Sequence, residues 1–330
     1  MISSRSSLRD KIFSVSKETF SNLALEVFSY QMQWNPVYAN YVNSLKKKRA
    51  TIDTIEQIPF LPIEFFKSFK ILSAYTDAET VFTSSGTSGM ESSRHYVPDP
   101  DLYTSSFRKA FELFYGSPAE YCVLALLPSY LEREGSSLIL MADDLIKKSA
   151  HPQSGFYLRH SEELKNVLLN LRNSGQKTLL LGVTFALLDF AEQFPLDFPE
   201  LIVMETGGMK GRKKEMVRDE VHQVLKKGFG VRAIHSEYGM TELLSQAYSK
   251  GEGIFDSPPW MKVLIRDPND PLSLTGNGKT GGINVIDLAN LDSCAFIATQ
   301  DLGKTHANGS FEVLGRFDHS DIRGCNLLVL

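Results

Sequence analysis

The sequence predicts an α/β protein, in which helices cover parallel or mixed β-sheets, with a smaller β-rich lobe. The continuous apolar run Tyr121–Leu127 is typical of a strand that is buried on both faces, and Lys177–Gly182 predicts another buried strand. Stretches with helical spacing of apolar residues separate such runs. After Gly251 the pattern changes to short β-like runs divided by Pro, Asn, Asp and Gly turns. We therefore expect an α/β lobe over residues 1–250, a β-rich lobe over 251–315 and a C-terminal tail over 316–330.

Composition and charge exclude two broad classes of protein. The 330 residues carry 35 basic and 39 acidic side chains, a formal net charge of −4, and 42% of them are hydrophobic. A chain with that hydrophobic share buries enough apolar surface to fold, so a disordered protein is excluded. The slightly acidic balance argues against a nucleic-acid-binding protein, which usually carries a basic excess.

No stretch predicts a membrane span or a disulfide framework. The longest apolar runs, Cys122–Pro128 and Leu179–Leu188, are shorter than the roughly 20 residues that a spanning helix needs. The N-terminal residues contain no apolar core of a signal peptide. The three cysteines, Cys122, Cys294 and Cys325, are odd in number and far apart. These observations predict a cytoplasmic protein in a reducing compartment.

The N-terminal segment predicts helices followed by an extended piece. Apolar residues recur at near-helical spacing from Leu8 to Phe28. The segment Ile58–Lys67 contains two prolines, Pro59 and Pro62, which forbid a regular helix and indicate an extended docking segment.

From Thr80 onward, strands and helices alternate. Apolar runs predict the strands, while capping residues and glycines predict where the helices begin and end. The predicted elements are a strand at Val81–Phe82, a helix over Asp101–Tyr115 that stops at Gly116, the strand Tyr121–Leu127, a helix from Ser161 to Gly175, the strand Lys177–Gly182 with a helix through Phe194, the strand Leu201–Glu205, and a helix over Arg212–Lys227 closed by Gly228. In the β-rich lobe the runs are Lys262–Ile265, Gly282–Ile286, Ala295–Thr299 and Phe311–Val313.

Two glycine motifs match nucleotide-binding fingerprints only in part. Gly278-Lys279-Thr280 ends like a P-loop, but Ser273 stands where the first glycine of that motif belongs. Gly251-Glu252-Gly253 begins a dinucleotide fingerprint, but Asp256 stands where the third glycine belongs. Both are interpreted as turns. The seven histidines include no HExxH pair, so no histidine metal site is predicted.

The strongest local signal is a loop of hydroxyl and glycine residues after a predicted strand. Glycines let the backbone wrap closely around an anion, and hydroxyl and amide hydrogens donate to phosphate oxygens. The alternative is a flexible surface linker, but linkers rarely follow a buried strand directly. Phosphate binding is therefore the favoured interpretation for Thr83, Ser84, Ser85, Gly86, Thr87, Ser88 and Gly89.

A second candidate segment runs from His235 to Glu242. Tyr238 offers a flat face on which a base can stack, and Gly239 allows a tight turn beside it. Glu242 supplies a hard oxygen ligand of the kind that Mg²⁺ prefers, and Thr241 supplies a hydroxyl. A buried turn with a helix-capping threonine explains the same residues equally well.

Two weaker candidates complete the set. Gly207, Gly208 and Met209 follow a predicted strand, where the backbone can pack against a ligand ring. Asp301 can accept hydrogen bonds from a pair of ribose hydroxyls, and Arg316 can bind ribose or phosphate. Taken singly, each is also explained as a turn residue or a surface arginine.

In their order along the chain, these pieces resemble the core motifs of the adenylate-forming superfamily of acyl- and aryl-CoA ligases. Thr83–Gly89 is similar to its phosphate loop, and Gly207-Gly208 to its adenine-side glycines. Tyr238–Glu242 matches its Tyr-Gly-x-Thr-Glu motif, and the resemblance places Ser236 and Glu237, which lead into it, at the nucleotide as well. Asp301 falls in a Thr-Gly-Asp-Leu-Gly motif whose first glycine is Gln300 here, and Gly315–Asp318 matches the hinge. The resemblance covers about residues 55–324.

Within that superfamily, the sequence most resembles acyl-protein synthetases of the LuxE type. Those proteins share the Pro-Phe-Leu-Pro-Ile-Glu-x-Phe-Lys segment found here at Pro59–Lys67. The resemblance implies the large-domain fold of adenylate-forming enzymes without the usual small C-terminal domain and its lysine. Arg94 is the cation expected beside the phosphate loop, where the family has Pro-Lys.

The resemblance further implies an ATP- and Mg²⁺-dependent ligase. A carboxylic acid, in particular a fatty acid, would form an acyl-adenylate and then a thioester, with Thr241 and Glu242 acting in catalysis and Glu242 as the metal ligand. By resemblance the acceptor is Cys325, and the nearby Arg323 would favour the thiolate form of this cysteine. The resemblance also implies a partner protein that accepts or reduces the acyl group. The alternatives are a ligase that uses free CoA and a non-catalytic adenylate-binding scaffold.

Overall fold

Two units make up the chain in the computed structural model, which describes residues 3–73, 77–84, 92–127, 135–157, 161–207 and 216–317. Unit 1 comprises Met1–Thr76 and Pro259–Leu330, and unit 2 comprises Asp77–Pro258. The sequence analysis assigned the first 76 residues to the α/β lobe, whereas the structure groups them with the C-terminal part of the chain. Strand pairing explains this grouping, because Leu61 pairs in parallel with Ile297.

Helices form where the sequence provides an apolar stripe and a defined beginning and end. The helix after Asp99 begins with Pro100 at its first position, where proline costs no hydrogen bond, and ends at Gly116, whose φ is 82°. In the described residues the α-helices are α1 (Arg5–Ile12), α2 (Phe20–Trp34), α3 (Pro36–Ser44), α4 (Phe65–Ser68), α5 (Pro100–Tyr115), α6 (Ser137–Ser149), α7 (Ser161–Ser174), α8 (Thr184–Gln193) and α9 (Arg218–Phe229).

Strands form from the apolar runs and from shorter segments that the sequence did not mark. In the described residues they are β1 (Leu61–Pro62), β2 (Thr80–Thr83), β3 (Arg94–Val97), β4 (Cys122–Leu126), β5 (Gly155–Phe156), β6 (Thr178–Val183), β7 (Ile202–Thr206), β8 (His235–Tyr238), β9 (Ala247–Ser249), β10 (Ile254–Asp256), β11 (Met261–Arg266), β12 (Gly281–Asp287), β13 (Phe296–Thr305) and β14 (Phe311–Arg316).

Unit 2 is built on a mixed sheet with the strand order β10-β9-β8-β7-β6-β4-β5. The strands from β5 to β8 pair in parallel, and β9 and β10 continue the sheet in antiparallel pairing. Every residue of β4 and of β6 is buried. The predicted α/β architecture, a mixed sheet with helices between its strands, is therefore confirmed.

Unit 1 contains an antiparallel meander of β11, β12, β13 and β14. The first half of β13 also pairs in parallel with β1. The N-terminal helices pack on this sheet through aromatic rings, as in the stack of Tyr38 on Phe296 with ring centroids 5.9 Å apart. The buried Gln31 donates to the carbonyl oxygens of Asn290 at 3.0 Å and Leu291 at 2.8 Å. The short β-like runs predicted after Gly251 are confirmed, since β11 to β14 overlap all four.

One helix differs from its prediction at its C-terminal end. The sequence analysis closed it at Gly228, but α9 continues through Phe229 and its C-cap is Gly230, with φ of 68°. Gly228 lies inside the helix, and a Cβ at this position would come within 2.6 Å of the Ala191 Cβ. The glycine therefore serves close packing between α8 and α9, and the left-handed cap falls two residues later. The predicted start, Arg212, lies outside the described residues.

Apolar helices long enough to cross a membrane are not found in the described part of the chain. The turn around Gly278, which has φ of 79°, lies between β11 and β12 and opens no helix. The interpretation of the partial P-loop motif as a turn is confirmed.

Candidate functional site

The carboxyl ends of four parallel strands meet at one edge of the sheet in unit 2. In the register of this sheet, Leu126 of β4 pairs with Gly182 of β6, Gly182 pairs with Glu205 of β7, and Glu205 pairs with Ser236 of β8. Ligands of open α/β sheets bind outside this edge. The segments that leave it include Gly207 and the turn after Tyr238, both predicted from the sequence as parts of the site.

A hairpin carries the first residues of the phosphate-loop candidate. In the antiparallel pair of β2 and β3, Thr83 lies opposite Arg94, the cation expected beside the loop. Ser84 closes the loop, because its amide donates to Ser93 O at 3.1 Å and its hydroxyl accepts from the Ser93 amide at 2.9 Å. Residues 85–89 lie outside the described residues.

A histidine joins this hairpin to the turn that follows β8. His95 is fully buried on β3, and its Nδ1 lies 2.8 Å from the carbonyl oxygen of Thr241. Because a carbonyl oxygen can only accept, Nδ1–H is the donor of this hydrogen bond. Two segments that are almost 150 positions apart in sequence are therefore fixed against each other.

The turn after β8 presents Thr241 and Glu242. The amide of Leu243 donates to Met240 O at 3.1 Å and closes the turn, and Glu242 is only 6% exposed. Mg²⁺ binds proteins through one or two carboxylates and takes its other ligands from water and phosphate oxygens. A buried carboxylate beside a hydroxyl fits that preference. Among the described residues no group of three or more His, Cys, Asp or Glu side chains forms a larger cation site.

A buried carboxylate, Glu205, organises one face of the strand edge. Its Oε1 accepts from the Ser236 hydroxyl at 2.8 Å, and its Oε2 lies 2.8 Å from the Thr184 hydroxyl. The Thr184 hydroxyl also lies 2.7 Å from the carbonyl oxygen of Gly207. This cluster therefore holds the first residue of the Gly-Gly turn.

Hydrogen bonding and nearby charge keep Glu205 ionised in spite of its burial. Burial by itself would raise the pKa of Glu205, but His222, the Arg218 charge and the two hydroxyls outweigh it and hold the pKa below its usual value. His222 Nε2 lies 3.7 Å from Oε1, beyond hydrogen-bond distance, so its contribution is electrostatic.

Glu237 lies on the opposite face of the same sheet, and its pKa is shifted in the opposite direction from that of Glu205. It pairs with Thr206 on β7 and Tyr248 on β9, and the Thr206 hydroxyl donates to its Oε2. Burial raises the pKa of Glu237 to about 7, and the charge of Glu205 adds to this effect while the Thr206 hydrogen bond opposes it. Gly239 makes room for this side chain, because a Cβ there would lie 2.4 Å from Glu237 Oε1.

We expect Glu237→Gln to flatten the dependence of stability on pH. Between the ordinary glutamate pKa of 4.5 and about 7, the folded chain holds a proton that the unfolded chain has released. The free energy of unfolding therefore falls as pH rises through this window, by up to about 1.4 kcal/mol for each pH unit. Glutamine does not titrate, so the variant loses this slope and gains stability relative to the wild type at pH 8.

The measurement is urea unfolding at pH 5, 6, 7 and 8, with the exposed Glu220→Gln as the matched control. The other titratable groups around Glu237 are Glu205, Tyr103 and Tyr248, and they are unchanged in both variants. If the free energy of unfolding has the same dependence on pH in the wild type and in Glu237→Gln, the raised pKa of Glu237 is wrong.

In unit 1 the structure brings together the two remaining candidates. Asp301 on β13 pairs with Arg316 on β14, and Arg316 Nε donates to Asp301 Oδ1 at 3.3 Å. The Asp301 amide donates to the Thr299 hydroxyl at 3.1 Å. Gln300, the residue that replaces a motif glycine, donates from its amide to Glu64. Asp301 is 9% exposed, and its position is therefore fixed from several sides.

Known structures share this architecture at low sequence identity. An open conformation of 2-hydroxyisobutyryl-CoA ligase in complex with 2-HIB-AMP and CoA matches 92% of this chain and 72% of its own, with a TM-score of 0.66 and 13% identity. The same ligase in its thioesterification state matches 94% of this chain and 71% of its own, at 0.66 and 13%. The chain has the fold of the adenylate-forming acyl-CoA ligases.

A second protein with this adenylate-forming fold is ATP-bound MatB from Rhodopseudomonas palustris. It matches 72% of this chain with a TM-score of 0.53 and 15% identity. The chain spans 47% of the length of MatB. No family model matches the sequence, and no curated protein matches it. The fold named from the sequence motifs is thus confirmed by structural likeness, and the LuxE-type subfamily stays a prediction.

Most of the predicted site residues that the structure describes belong to unit 2 of this adenylate-forming fold. They are Thr83, Ser84, Gly207, Ser236, Glu237, Tyr238, Gly239, Thr241 and Glu242, while Asp301 and Arg316 belong to unit 1. Ser85, Gly86, Thr87, Ser88, Gly89, Gly208, Met209 and Cys325 lie outside the described residues. The Tyr238 ring is buried and makes an edge contact with Phe255 at 6.0 Å between ring centroids.

Sequence reasoning did not identify His95, Thr184 or Thr206 as site residues. Each contacts residues that are distant in sequence: His95 contacts Thr241 O, Thr184 contacts Glu205 and Gly207 O, and Thr206 contacts Glu237. The single signal available was position, since Thr184 and Thr206 stand at the ends of predicted strands. Glu205 is the last residue of the predicted strand Leu201–Glu205, but its hydrogen-bond partners could not be read from the sequence.

Proposed function

We propose that this protein activates a carboxylic acid with ATP, giving an acyl-adenylate and pyrophosphate. The observation that carries the proposal is the 2.8 Å contact between His95 Nδ1 and Thr241 O. It ties the hairpin of the phosphate-loop candidate to the turn that contains the metal-ligand candidate Glu242. Both segments belong to unit 2, whose parallel strands end at the kind of edge where α/β proteins bind ligands.

In the proposed reaction a carboxylate oxygen attacks the α-phosphorus of ATP. The bond from that phosphorus to the bridging oxygen breaks, and pyrophosphate leaves with the electron pair. No protein group forms a covalent bond in this step, so positioning and charge stabilisation provide the catalysis. The amides and hydroxyls of Thr83–Gly89 bind phosphate oxygens, with Arg94 as a nearby cation. Glu242 would hold Mg²⁺, which would supply positive charge to neutralise the phosphates.

The remaining candidates take the roles that the resemblance implies. Asp301 accepts hydrogen bonds from the ribose hydroxyls, and Arg316 binds ribose or phosphate. The adenine-side set is Gly207, Gly208, Met209, Ser236, Tyr238 and Gly239. The resemblance also implies that the acid is a fatty acid.

A thiol completes the reaction by attacking the acyl carbon, and AMP leaves with the electrons of the carbon–oxygen bond. By resemblance to the LuxE-type proteins, we propose Cys325 as this thiol, with later delivery of the acyl group to a partner protein. The other cysteines are poor candidates, because burial raises the pKa of Cys122 to about 11 and that of Cys294 to about 12. The alternative acceptor is free CoA, which 2-hydroxyisobutyryl-CoA ligase binds.

Acid-dependent exchange of labelled pyrophosphate into ATP tests the proposed activation step. We expect exchange with Mg²⁺ and at least one acid from a panel of fatty and aromatic acids, and none when the acid is omitted. If MgATP raises the melting temperature but none of the acids supports pyrophosphate exchange, the protein is a scaffold that binds MgATP without activating an acid. This result would overturn the proposal.

We expect Cys325→Ser to abolish acylation of the protein. The wild type, incubated with ATP, Mg²⁺ and an acid that supports exchange, should gain the mass of one acyl group, and neutral hydroxylamine should remove it because thioesters are labile. Intact-mass analysis measures both. Cys122→Ala is the control and should acylate normally, because that thiol is buried and neutral. An adduct that survives Cys325→Ser would rule out this acceptor and favour CoA.

A further inference from the structure

Unit 2 contains a buried polar cluster on the face of the sheet opposite Glu205. We call Thr206, Glu237, Gln246 and Tyr248 the Glu237 cluster. Thr206 and Glu237 are paired residues of β7 and β8, and Glu237 is paired with Tyr248 of β9. Facing residues of paired strands point to the same side of the sheet. Gln246 joins them, since a Cβ on Gly239 would lie 2.4 Å from Glu237 Oε1 and 3.4 Å from Gln246 Cγ.

Two polar atoms of this cluster have no partner among the described residues. The Tyr248 hydroxyl and Gln246 Oε1 are both buried without a hydrogen bond, in side chains that are 2% and 4% exposed. Packing fixes the tyrosine ring, which contacts the rings of Phe114 and Tyr115 at 5.4 Å each. Buried polar groups without partners cost free energy, and in native proteins they are rare and concentrated at functional sites.

The contrast with Tyr103 shows that the unpaired hydroxyl is not a general feature of this region. Tyr103 of α5 is as fully buried as Tyr248 and also senses the charge of Glu237. Its hydroxyl, however, donates to the carbonyl oxygen of Ser137 at 2.9 Å. The core around α5 therefore satisfies the hydroxyl of one tyrosine and leaves that of the other without a partner among the described residues.

We propose that the Glu237 cluster binds a hydroxyl group on the carboxylic acid substrate, so that the protein selects hydroxy acids over acids with a plain hydrocarbon chain. The proposal rests on the acid activation proposed above and refines its substrate class. It also reassigns Glu237 from the nucleotide, where the resemblance placed it, to the acid.

A hydroxyl matches the hydrogen-bonding capacity of the cluster better than other substituents. It can accept a hydrogen bond from the Tyr248 hydroxyl and donate one to Gln246 Oε1 or Glu237, whereas an ammonium group can only donate. An alkyl chain would leave both unpaired atoms unsatisfied, which is the situation that gives strong discrimination between substrates. The raised pKa of Glu237 favours a neutral substituent as well, because the carboxyl is half protonated near pH 7.

The test compares matched acids in the pyrophosphate exchange assay. The panel is butanoate with its 2-, 3- and 4-hydroxy derivatives, octanoate with its 3- and 8-hydroxy derivatives, and 3-aminobutanoate. We expect kcat/KM for at least one hydroxy acid to exceed that of its plain counterpart by about tenfold or more, the discrimination that one additional hydrogen bond to a buried group provides.

Two tyrosine variants separate recognition from structure. Tyr248→Phe removes a hydroxyl that has no protein partner, so we expect an unchanged or raised melting temperature and a loss of about tenfold in the preference for the hydroxy acid. Tyr103→Phe removes a hydroxyl that is bonded within the protein. For this matched control we expect a lowered melting temperature and an unchanged preference.

The outcomes distinguish this inference from the proposed function. Equal rates for plain and hydroxylated acids, or a preference that survives Tyr248→Phe, overturn the hydroxy-acid assignment and leave acid activation standing. A higher rate with 3-aminobutanoate than with any hydroxybutanoate also overturns it, in favour of an amino acid substrate. If none of the acids supports pyrophosphate exchange, the proposed function is overturned, and the hydroxy-acid assignment is overturned with it.

Discussion

Glu242→Gln is expected to lower acid-dependent pyrophosphate exchange by about a hundredfold or more, the effect typical of removing one preorganised electrostatic contact from an active site. Glutamine keeps the size of the side chain and one carbonyl oxygen, but it lacks the negative charge that Mg²⁺ prefers in a ligand. The free energy of unfolding should change little, because the turn is closed by the backbone hydrogen bond from Leu243 to Met240.

The exchange rate per folded molecule measures the effect of Glu242→Gln on activity, and urea unfolding measures its effect on stability. The exposed Glu220→Gln on α9 is the matched control and should leave both unchanged. If Glu242→Gln unfolds early but retains its activity per folded molecule, Glu242 has a structural role in the turn, and the magnesium assignment is wrong.

Glu205→Ala is expected to destabilise unit 2 by about 3–5 kcal/mol, the usual cost of breaking a buried charged network. The variant leaves the Ser236 hydroxyl without its acceptor, and it removes the negative charge that His222 and Arg218 face in the buried interior. Urea unfolding at pH 7 measures the loss, and Glu220→Ala on the exposed face of α9 should stay within about 0.5 kcal/mol of the wild type.

The contribution of Glu205 to the free energy of unfolding changes with pH in the opposite direction to that of Glu237. The folded-state pKa of Glu205 lies below its ordinary value of 4.5, so its contribution is fully present above that pH and is lost as pH falls through the folded pKa. Because the charge of Glu205 also raises the pKa of Glu237, the comparison is made in a Glu237→Gln background, where the destabilisation by Glu205→Ala should be constant from pH 6 to pH 8 and shrink in acid. A loss below about 1 kcal/mol at pH 7 would show that the network contributes little.

The sequence by itself determined the class of fold and the order of its motifs. Long apolar runs such as Thr178–Val183 are fully buried in the structure, and such runs are readable because a strand covered on both faces needs no polar residues. The C-terminal end of α5 and both ends of α7 were readable because serine and glycine act locally. The short strands β8, β9 and β10 were not, because neither length nor alternation marks them.

The candidate site was predictable only as a set of segments. Thr83, Tyr238 and Glu242 were marked by residue type and order, but the link from His95 to Thr241 was not. The grouping of the first 76 residues with the chain after Pro259 was equally invisible. It depends on the pairing of β1 with β13, and no local rule specifies which distant strand a two-residue segment joins.

Tertiary structure alone decided the chemistry of the two buried glutamates. Glu205 and Glu237 are the same residue type: Glu205 ends a predicted strand, and Glu237 lies in β8, which the sequence did not mark. The parallel register pairs Glu205 with Ser236 and Thr206 with Glu237, and because side chains alternate along a strand, the two carboxylates point to opposite faces. One face gives Glu205 hydroxyl donors and nearby positive charge, so it stays ionised. The other surrounds Glu237 with buried tyrosines, and burial outweighs the hydrogen bond from Thr206 and brings the pKa of Glu237 to about 7.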